Sequence, residues 1–404
     1  MRASDSANSI APLPVESDLA TDQLDPHDPN YAVDVIQRVI DLAVSRDASD
    51  VHLQPRPEGW DLLFRIDGVL SLGQSIPGGG ESDPVKRLMV MSGLPTYRSG
   101  QPMEGRLRFE GADHPHANVS IRLGIYPTIH GPRAVIRLLR KSDAFDSLAS
   151  IGLADDVTET IQHLCGQTDG AVLMSGPAGS GKTTTMYAML RHIAGAIPRR
   201  SIVTIEDPVE SIIPNISQSE LDPAGGMTLA SALRSAVRQD SEVLLVSEIR
   251  DPDTAEAAMQ ASLTGHLVFS SLHGTDVAAS LRRLMQLGVP HFVIRSGVRA
   301  ILTQRLLRRR CTNHRPENCQ TCLGTGYQGQ IAIASCVRFD GTDPVGEALS
   351  DSLARGATTA DMRRAASESG YVDLHRRAKQ CVEAGITDAS EIYRVLGSQP
   401  TESD

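Results

Sequence analysis

The first third of the chain alternates between one helical pattern and several strand patterns. The stretch "YAVDVIQRVIDLAVSRDAS" places apolar residues near helical spacing, which predicts an amphipathic helix. "DVHLQP" and "WDLLFRIDGVL" predict strands, the second ending in an Asp-Gly turn, and "ANVSIRLGIYP" and "RAVIRLL" predict another strand pair. Together these elements predict a small α/β domain over residues 31–142.

Beyond residue 151 the pattern becomes a regular alternation of apolar strands and helices. "AVLMSG" precedes "TTTMYAMLRHIAGAI", "SIVTIED" precedes "TLASALRSAVRQ", "EVLLVSE" precedes "DTAEAAMQASLTG", and "HLVFSSLH" precedes "DVAASLRRLMQLG". Strands that alternate with helices predict βαβ units, in which a parallel sheet is covered by helices on both faces. The fold class is therefore α/β.

The two patterns, with the segments around them, predict how the chain is organised. The start of the chain is rich in Asp, Ser, Pro and Ala with little to bury, which predicts a flexible arm. "KSDAFDSLASIG" is a linker candidate, and the residues beyond about 340 are helical in pattern. The predicted segments are an arm (1–30), an N-terminal α/β domain (31–142), a linker (143–150), a core of alternating strands and helices (151–305), a cysteine-rich module (306–330) and a helical C-terminal region (331–404).

Composition and charge narrow the possible functions. The 404 residues are 40% hydrophobic and 22% charged, which is enough for two or three cores. A net charge of -10 with seven Tyr, six Phe and one Trp gives little support to a nucleic-acid translocase or any nucleic-acid partner. No apolar run approaches the ~20 residues that cross a bilayer, and the first residues lack the apolar segment of a signal peptide. We expect a soluble cytoplasmic protein.

A phosphate-binding motif lies between the first strand and helix of the core. "GPAGSGKT" satisfies G-x-x-x-x-G-K-[ST], which predicts that backbone N–H groups and a helix N-terminus cradle the phosphates of ATP. Lys182 would reach the β- and γ-phosphates and Thr183 would supply a hydroxyl to Mg²⁺. The alternative is a glycine-rich turn with an incidental lysine. The candidate nucleotide-binding residues are Gly176, Pro177, Ala178, Gly179, Ser180, Gly181, Lys182, Thr183 and Thr184.

Acidic residues end two of the predicted core strands. "VLLVSEIRD" resembles a Walker B strand, and a carboxylate at its tip would face the ligand crevice. Glu248 could orient the attacking water or hold the metal's water shell; the usual preceding aspartate is Ser247. In "TIEDPVE", Glu206 and Glu210 are further candidates for activating water, and crowded carboxylates raise at least one pKa. The alternative in each case is a solvated strand end.

Two histidines flank the strand "HLVFSSLH". At a separation of seven, His266 and His273 would lie on opposite faces of the strand. One could sense the γ-phosphate while the other packs, although such histidines are often structural.

The order of these motifs is similar to that of the secretion and type IV pilus ATPases. The P-loop, "IEDPVE", "LRSAVRQDSEVLLVSEIRD" and "TGHLVFSSLH" follow one another as in that superfamily, and "ASDVHLQP", "FRIDGVL" and "EGRLRF" resemble its N-terminal domain motifs. The resemblance implies a RecA-like P-loop NTPase fold after a smaller α/β domain, and assembly into hexameric rings. It also implies Glu206 and Glu210 as catalytic acids and His273 near the γ-phosphate.

Arginines of the N-terminal domain reach ATP in this superfamily, and the matching positions are Arg122 in "VSIRLG" and Arg137 in "VIRLL". A planar guanidinium suits the charge on transferring phosphoryl oxygens, although each arginine could instead be a solvated charge on a strand. Arg238 is a weaker candidate for a contact within the ring. The sequence departs from the family pattern at several positions, including Ser241 for proline and Gly274 for threonine.

A cysteine-rich run follows the core. In this family such an insertion follows a helix ending in "QRL" and precedes "GTGYxGR", and here "TQRLLRRR" and "LGTGYQGQ" flank "CTNHRPENCQTC". Cys311 and His314 form one pair with a two-residue gap, and Cys319 and Cys322 form another, as in structural Zn²⁺ sites. The alternative is that the shortened run has lost its metal and leaves buried thiols.

The sequence thus predicts an ATPase that powers type II secretion or type IV pilus assembly. The expected partners are an inner-membrane platform protein and the cytoplasmic domains of the machine, with the ATPase peripheral at the inner membrane. Within the family the alternative is a retraction motor, which the cysteine run disfavours. A different alternative is a non-hydrolysing regulatory or scaffold protein that uses nucleotide only for assembly.

Overall fold

The computed structural model describes residues 24–78, 82–98, 100–107, 116, 119–140, 145–222, 225–314, 319 and 321–397. The chain divides into two compact units. The N-terminal unit comprises Met1–Ser142 and Cys311–Gly329, and the core unit comprises Asp143–Arg310 and Gln330–Asp404. The predicted arm lies outside the described residues as far as residue 23, and so do the first two residues of the predicted linker.

The N-terminal unit is built on a six-stranded sheet in the order β3-β2-β1-β6-β5-β4. Its strand pairs are antiparallel. The elements are α1 (Tyr31–Ser45), β1 (Asp50–Arg56), β2 (Gly59–Ile66), β3 (Val69–Pro77), α2 (Pro84–Met91), β4 (Met103–Leu107), β5 (Val119–Thr128) and β6 (Gly131–Arg140). The predicted helix, the Asp-Gly turn and the later strand pair are therefore present.

One face of this sheet is apolar because side chains alternate along each strand. Val51, Leu53, Ile121 and Ile136 are almost completely buried there, together with the apolar side of α1. Burying each such side chain contributes about 1.5–3 kcal/mol, so packing of the apolar side of α1 on this face stabilises the unit.

The core unit contains a seven-stranded sheet in the order β13-β12-β7-β11-β10-β8-β9. Strands β12, β7, β11, β10, β8 and β9 pair in parallel. Its strands are β7 (Gly170–Ser175), β8 (Ile202–Glu206), β9 (Ser217–Glu220), β10 (Val243–Val246), β11 (Leu267–Leu272), β12 (Val298–Arg310) and β13 (Tyr327–Arg338). Its helices are α3 (Asp155–Cys165), α4 (Lys182–Ala194), α5 (Leu229–Ala236), α6 (Pro252–Leu263), α7 (Val277–Gln286), α8 (His291–Gly297), α9 (Pro344–Ala354), α10 (Thr359–Glu368), α11 (Leu374–Glu383) and α12 (Ala389–Leu396).

Helices cover both faces of the core sheet. Along β7, Ala171 and Leu173 belong to one buried cluster, whereas Val172 and Met174 belong to the other. A strand buried on both faces reads as a continuous apolar run, which is the pattern that the sequence shows at β7, β10 and β11. The α/β class and the mainly parallel sheet predicted from the sequence are confirmed.

The prediction of a helix ending in "QRL" is wrong. Residues Val298–Arg310 form the long strand β12, which pairs with β7. The apolar residues around "QRL" lie between polar ones at spacings that both a helix and a strand can use, and the pairing with β7 decides the outcome. The region from residue 331 also begins in strand β13 and becomes helical only from Pro344.

The segment before α3 is packed against the core. Leu148 and Ile151 are buried in the same cluster as the apolar side of α4. In the described part of the chain, no helix combines the length and the apolar character needed to cross a membrane.

Candidate functional site

The phosphate-binding motif forms the turn between β7 and α4. Gly176, Gly179 and Gly181 have φ angles of 155°, 72° and 83°, values that residues with a side chain rarely adopt. A Cβ added at Gly176 would lie 2.6 Å from the carbonyl oxygen of Gln304. The glycines are thus required both by the path of the loop and by the strand packed behind it.

Lys182 begins α4 and reaches back across the loop. Its Nζ donates to the carbonyl oxygens of Gly176 at 2.9 Å and Pro177 at 2.8 Å. Burial lowers the pKa of this ammonium group, Glu248 acts in the opposite direction and Arg305 acts in the same direction as burial. The loop is therefore a glycine cradle with one ammonium group at its mouth, and it fits a polyphosphate. Thr183, the candidate Mg²⁺ ligand, lies in the first turn of α4 and is partly buried.

Glu248 lies two residues beyond the end of β10, at the carboxyl edge of the sheet. Its Oε1 is 2.7 Å from His273 Nε2, and its Oε2 accepts from Arg250 Nε at 2.8 Å. His273 follows β11, the neighbouring strand, so the two predicted residues meet at one edge. The Glu248 side chain is only 13% exposed, whereas that of His273 is 57% exposed. His266 lies at the other end of β11, where its Nδ1 is 3.2 Å from the carbonyl oxygen of Ala261.

Glu206 is buried at the end of β8, and its carboxylate is already engaged. Oε1 accepts from the Thr204 hydroxyl at 2.6 Å and from Gln218 Nε2 at 3.1 Å, and Oε2 accepts from the Tyr187 hydroxyl. The Tyr187 oxygen in turn accepts from the Glu210 backbone N–H at 3.2 Å. Burial, followed by the hydrogen bond to Glu206, raises the pKa of Tyr187 far above its usual range. The "TIEDPVE" segment is thus fixed to α4 through one tyrosine.

The side chains of β12 that touch the phosphate loop were not singled out by the sequence. Gln304 Nε2 donates to the Ser180 carbonyl at 2.8 Å, and the Thr185 hydroxyl donates to Gln304 Oε1 at 2.9 Å. The next residue, Arg305, donates to the carbonyl oxygens of Gln304 and Thr275. Both residues belong to the "QRL" triplet, which in the sequence indicated only where the cysteine-rich run begins.

The two candidate arginines of the N-terminal unit lie directly opposite each other on β5 and β6. The register extends to Arg106 on β4 and to Asp50 on β1, so these side chains share one face of the sheet. Arg122 pairs with Glu104, and Arg137 Nε donates to Asp50 Oδ1 at 2.9 Å. The sequence identified two members of this row but could not show that they are neighbours.

The cysteine-rich run belongs to the N-terminal unit. Cys311, Cys319 and Cys322 are buried, and their sulfur atoms all lie within 4.8 Å of one another. His314 Nδ1 is 3.2 Å from Cys322 Sγ, although the ring is exposed. Three thiols that converge without forming a disulfide, with an imidazole beside them, fit a tetrahedral Zn²⁺ ligand set.

The same unit holds this run by two further contacts. Leu323 packs against the core of the N-terminal unit. The Gly329 backbone N–H donates to Asp67 Oδ2 at 2.8 Å, and Asp67 belongs to the turn between β2 and β3.

Two departures from the family pattern have local explanations. The Ser241 hydroxyl donates to the Ala236 carbonyl at 2.9 Å, just beyond the end of α5. A Cβ at Gly274 would lie 2.4 Å from Ser280 Oγ and 2.6 Å from Ser175 Oγ, and these two hydroxyls are hydrogen-bonded to each other. A larger residue at position 274 would therefore disturb that pair.

Comparison with known proteins places the chain in a family. The sequence profile described as "Type II/IV secretion system protein" matches residues 26–394. The chain is 33% identical to the type IV pilus assembly ATPase PilB of Thermus thermophilus, over 90% of this chain and 43% of that protein. It is 35% identical to the type II secretion system protein HxcR of Pseudomonas aeruginosa, over 93% of this chain and 79% of that protein. The chain thus spans less than half of the first relative and most of the second.

Solved structures share the fold. The ATPase DotB of Yersinia pseudotuberculosis gives a TM-score of 0.69 at 22% identity, with 89% of this chain and 92% of that chain covered. The pilus retraction motor PilT with bound ADP gives a TM-score of 0.57 at 23% identity, with 89% of this chain and 99% of that chain covered.

Proposed function

The chain belongs to the type II/IV secretion system protein family, and on that premise we propose that it is an ATPase motor that powers type II secretion or type IV pilus assembly. The observation that carries the proposal is the glycine cradle with Lys182 at its mouth, in a unit where Glu248 and His273 meet at the carboxyl edge of the sheet. The names of the relatives, a pilus assembly ATPase and a type II secretion protein, support the cellular role.

Lys182 and the loop backbone would bind the phosphates of ATP. The two carbonyl contacts of the lysine would be exchanged for phosphate oxygens, which are stronger partners because they are charged. The backbone N–H groups of the loop and the N-terminus of α4 would add positive potential. Mg²⁺, held through the Thr183 hydroxyl, would neutralise phosphate charge.

We assign the task of positioning water to Glu248. Its Oε1 is 2.7 Å from His273, and its carboxylate opposes the burial that lowers the pKa of Lys182, so the three groups are electrostatically coupled. His273 is the more exposed of the two side chains, and its imidazole would respond to the presence or absence of the γ-phosphate charge. Glu206 and Glu210 would act with Tyr187 in holding the "TIEDPVE" segment, because the Glu206 carboxylate already accepts three hydrogen bonds.

The arginine pair Arg122 and Arg137 would act on nucleotide phosphates, as the family resemblance implies. Each guanidinium has a carboxylate partner, so binding of phosphate would require an exchange of partners. Replacing either by lysine would keep the charge and lose the planar fork, and we expect kcat to fall with little change in folding.

Cys311, Cys319, Cys322 and His314 would hold one structural Zn²⁺. The convergence of three buried thiols supports this site. Metal analysis of the purified protein should give about one zinc per chain, and Cys319→Ser should lower this content, since a closed site binds tightly. A clearly substoichiometric content in the unaltered protein would reject the site.

The same family resemblance supports a hexameric ring, contact with an inner-membrane platform protein and with cytoplasmic domains of the machine, and a peripheral location at the inner membrane. Light scattering with ATP present should give the mass of six chains, and a monomer under all nucleotide conditions would argue against the ring.

Steady-state ATP hydrolysis tests the central proposal. Lys182→Ala should abolish turnover, whereas Lys86→Ala, an exposed lysine of α2, should leave it unchanged. Glu248→Gln should bind ATP but hydrolyse it at least about a hundredfold more slowly. Binding of ATP with no turnover in the unaltered protein would favour the non-hydrolysing scaffold, and equal turnover in the Lys182 variant would refute the site.

A further inference from the structure

We propose that Gln304 is a positioning residue for the phosphates, because its carboxamide orients the Ser180–Gly181 peptide of the phosphate loop. The inference rests on the proposed nucleotide site and adds to it a residue that is distant in sequence and does not itself contact the nucleotide. Three observations carry it: burial, a fixed amide orientation and the geometry of one peptide bond.

Gln304 is 1% exposed, and both ends of its carboxamide are used. Nε2 donates to the Ser180 carbonyl at 2.8 Å, and Oε1 accepts from the Thr185 hydroxyl at 2.9 Å. Thr185 and Ser180 are themselves buried, so water cannot substitute for the glutamine.

The orientation of the amide follows from its partners. A carbonyl oxygen can only accept a hydrogen bond, so the nitrogen end of Gln304 must face Ser180. The oxygen end then faces the Thr185 hydroxyl, which can donate. Thr185 lies in the first turn of α4, so one side chain joins the loop to the helix that follows it.

The Ser180–Gly181 peptide connects this contact to the phosphates. In a planar trans peptide the C=O and the next N–H point in opposite directions. With the Ser180 carbonyl held toward β12, the Gly181 N–H is directed away from β12, toward the inside of the loop. Backbone N–H groups directed inward are the means by which such a loop binds phosphate.

The position of Gln304 is itself fixed by the sheet. The preceding residue, Thr303, is paired with Ser175, the last residue of β7. A Cβ added at Gly181 would lie 2.7 Å from Gln304 Nε2. The glycine at this position therefore leaves space for the carboxamide, which a side chain would displace.

The first test compares Gln304→Leu with the unaltered protein by isothermal titration with ADP and by thermal unfolding. Leucine fills a similar volume but leaves the Ser180 carbonyl without its donor and free to turn. We expect ADP affinity to fall about tenfold or more. Gln74→Leu, which removes a buried glutamine from the N-terminal unit, is the matched control and should keep ADP affinity.

The second test uses Gln304→Glu, which has nearly the same shape. An ionised carboxylate repels the Ser180 carbonyl, whereas a protonated carboxyl group can donate to it and still accept from Thr185. Burial raises the pKa of such a group. Relative to the unaltered protein, ADP affinity of this variant should therefore recover as the pH is lowered from 8 to 6. Thermal unfolding of the variant at both pH values checks that it is folded throughout, so that the recovery reports on the loop and not on folding.

The outcomes separate the two proposals. If the unaltered protein binds ADP and Lys182→Ala does not, the nucleotide site stands. Within that result, a Gln304→Leu variant that is folded and binds ADP normally overturns the positioning role. A Gln304→Glu variant whose relative affinity is the same at both pH values overturns it as well. If the unaltered protein binds neither ADP nor ATP, the proposed function itself fails.

Discussion

Replacing Glu391 by alanine should destabilise the core unit more than any exposed substitution of the same kind. The carboxylate is 0% exposed and lies between β12 and α12. It accepts from the Arg308 backbone N–H at 2.9 Å, from Arg308 Nε at 3.0 Å and from Arg394 Nε at 2.7 Å. Removing it takes away the carboxylate that the Arg308 guanidinium contacts, and the Arg308 side chain is only 15% exposed.

The expected loss follows from this geometry. Breaking a buried ion pair costs about 3–5 kcal/mol, because a charge remains uncompensated. The Arg394 side chain is 37% exposed and can be solvated, which places the expected loss near the lower end, at about 3 kcal/mol. For a unit of this size about 1 kcal/mol corresponds to about 2–4 °C, so the melting temperature should fall by roughly 6–12 °C.

Thermal unfolding followed by circular dichroism measures this shift. Glu383→Ala, an exposed glutamate at the end of α11, is the control and should change the melting temperature by about 1 °C or less. A Glu391→Ala variant that melts with the control would show that the buried pair contributes no net stability, and the reasoning would be refuted.

Further predictions concern the same pair, the acidic segment, the glycine before α7 and the metal. Burial acts to raise the pKa of Glu391, but the hydrogen bonds from Arg394 and Arg308 outweigh it and hold that pKa below its usual range. The stability that it contributes is therefore complete above the unfolded pKa of about 4.3 and is lost as the pH falls through the lower folded pKa. Urea titrations should show the difference from Glu391→Ala shrinking only on the acid side, and a difference that grows as the pH is lowered would contradict this. Tyr187→Phe should cost about 1–2 kcal/mol in a urea titration, because buried Glu206 loses a donor; no loss would show that this contact is not formed. Gly274→Ala should cost about 1–3 kcal/mol, and a concurrent Ser280→Ala should recover part of it; equal stability of all three proteins would disprove the crowding. Removal of zinc by a chelator should lower the melting temperature of the unaltered protein but not that of Cys319→Ser, and identical shifts in both would indicate a metal bound elsewhere.

The sequence predicts those features of the chain that depend on local pattern. The strand before Gly176 and the helix that starts at Lys182 follow from an apolar run, glycines and a helical repeat, and the structure contains both. The partnership of Glu248 and His273 is consistent with this reading, because adjacent parallel strands bring their carboxyl ends together.

Contacts between distant parts of the chain were not predictable in this way. Gln304 reads as an ordinary polar residue, and its role depends on Ser180 and Thr185, more than a hundred residues earlier. Glu391 likewise looks like a surface glutamate of an amphipathic helix, and its partner Arg308 on β12, which it meets in the buried position, lies more than eighty residues earlier. Where a polar residue is buried by a remote partner, a single sequence carries no signal of it.

The cysteine-rich run occupies the connection between β12 and β13, which are neighbours in the core sheet. Its two ends are already joined, because the Cys311 N–H donates to the Gly326 carbonyl at 2.8 Å. With the ends of the connection held together, its length can change at small entropic cost, about 0.6 kcal/mol for each doubling. The connection is thus a position where insertions and deletions can accumulate over evolution, or where a designer can graft a different module, while both strands keep their place in the sheet.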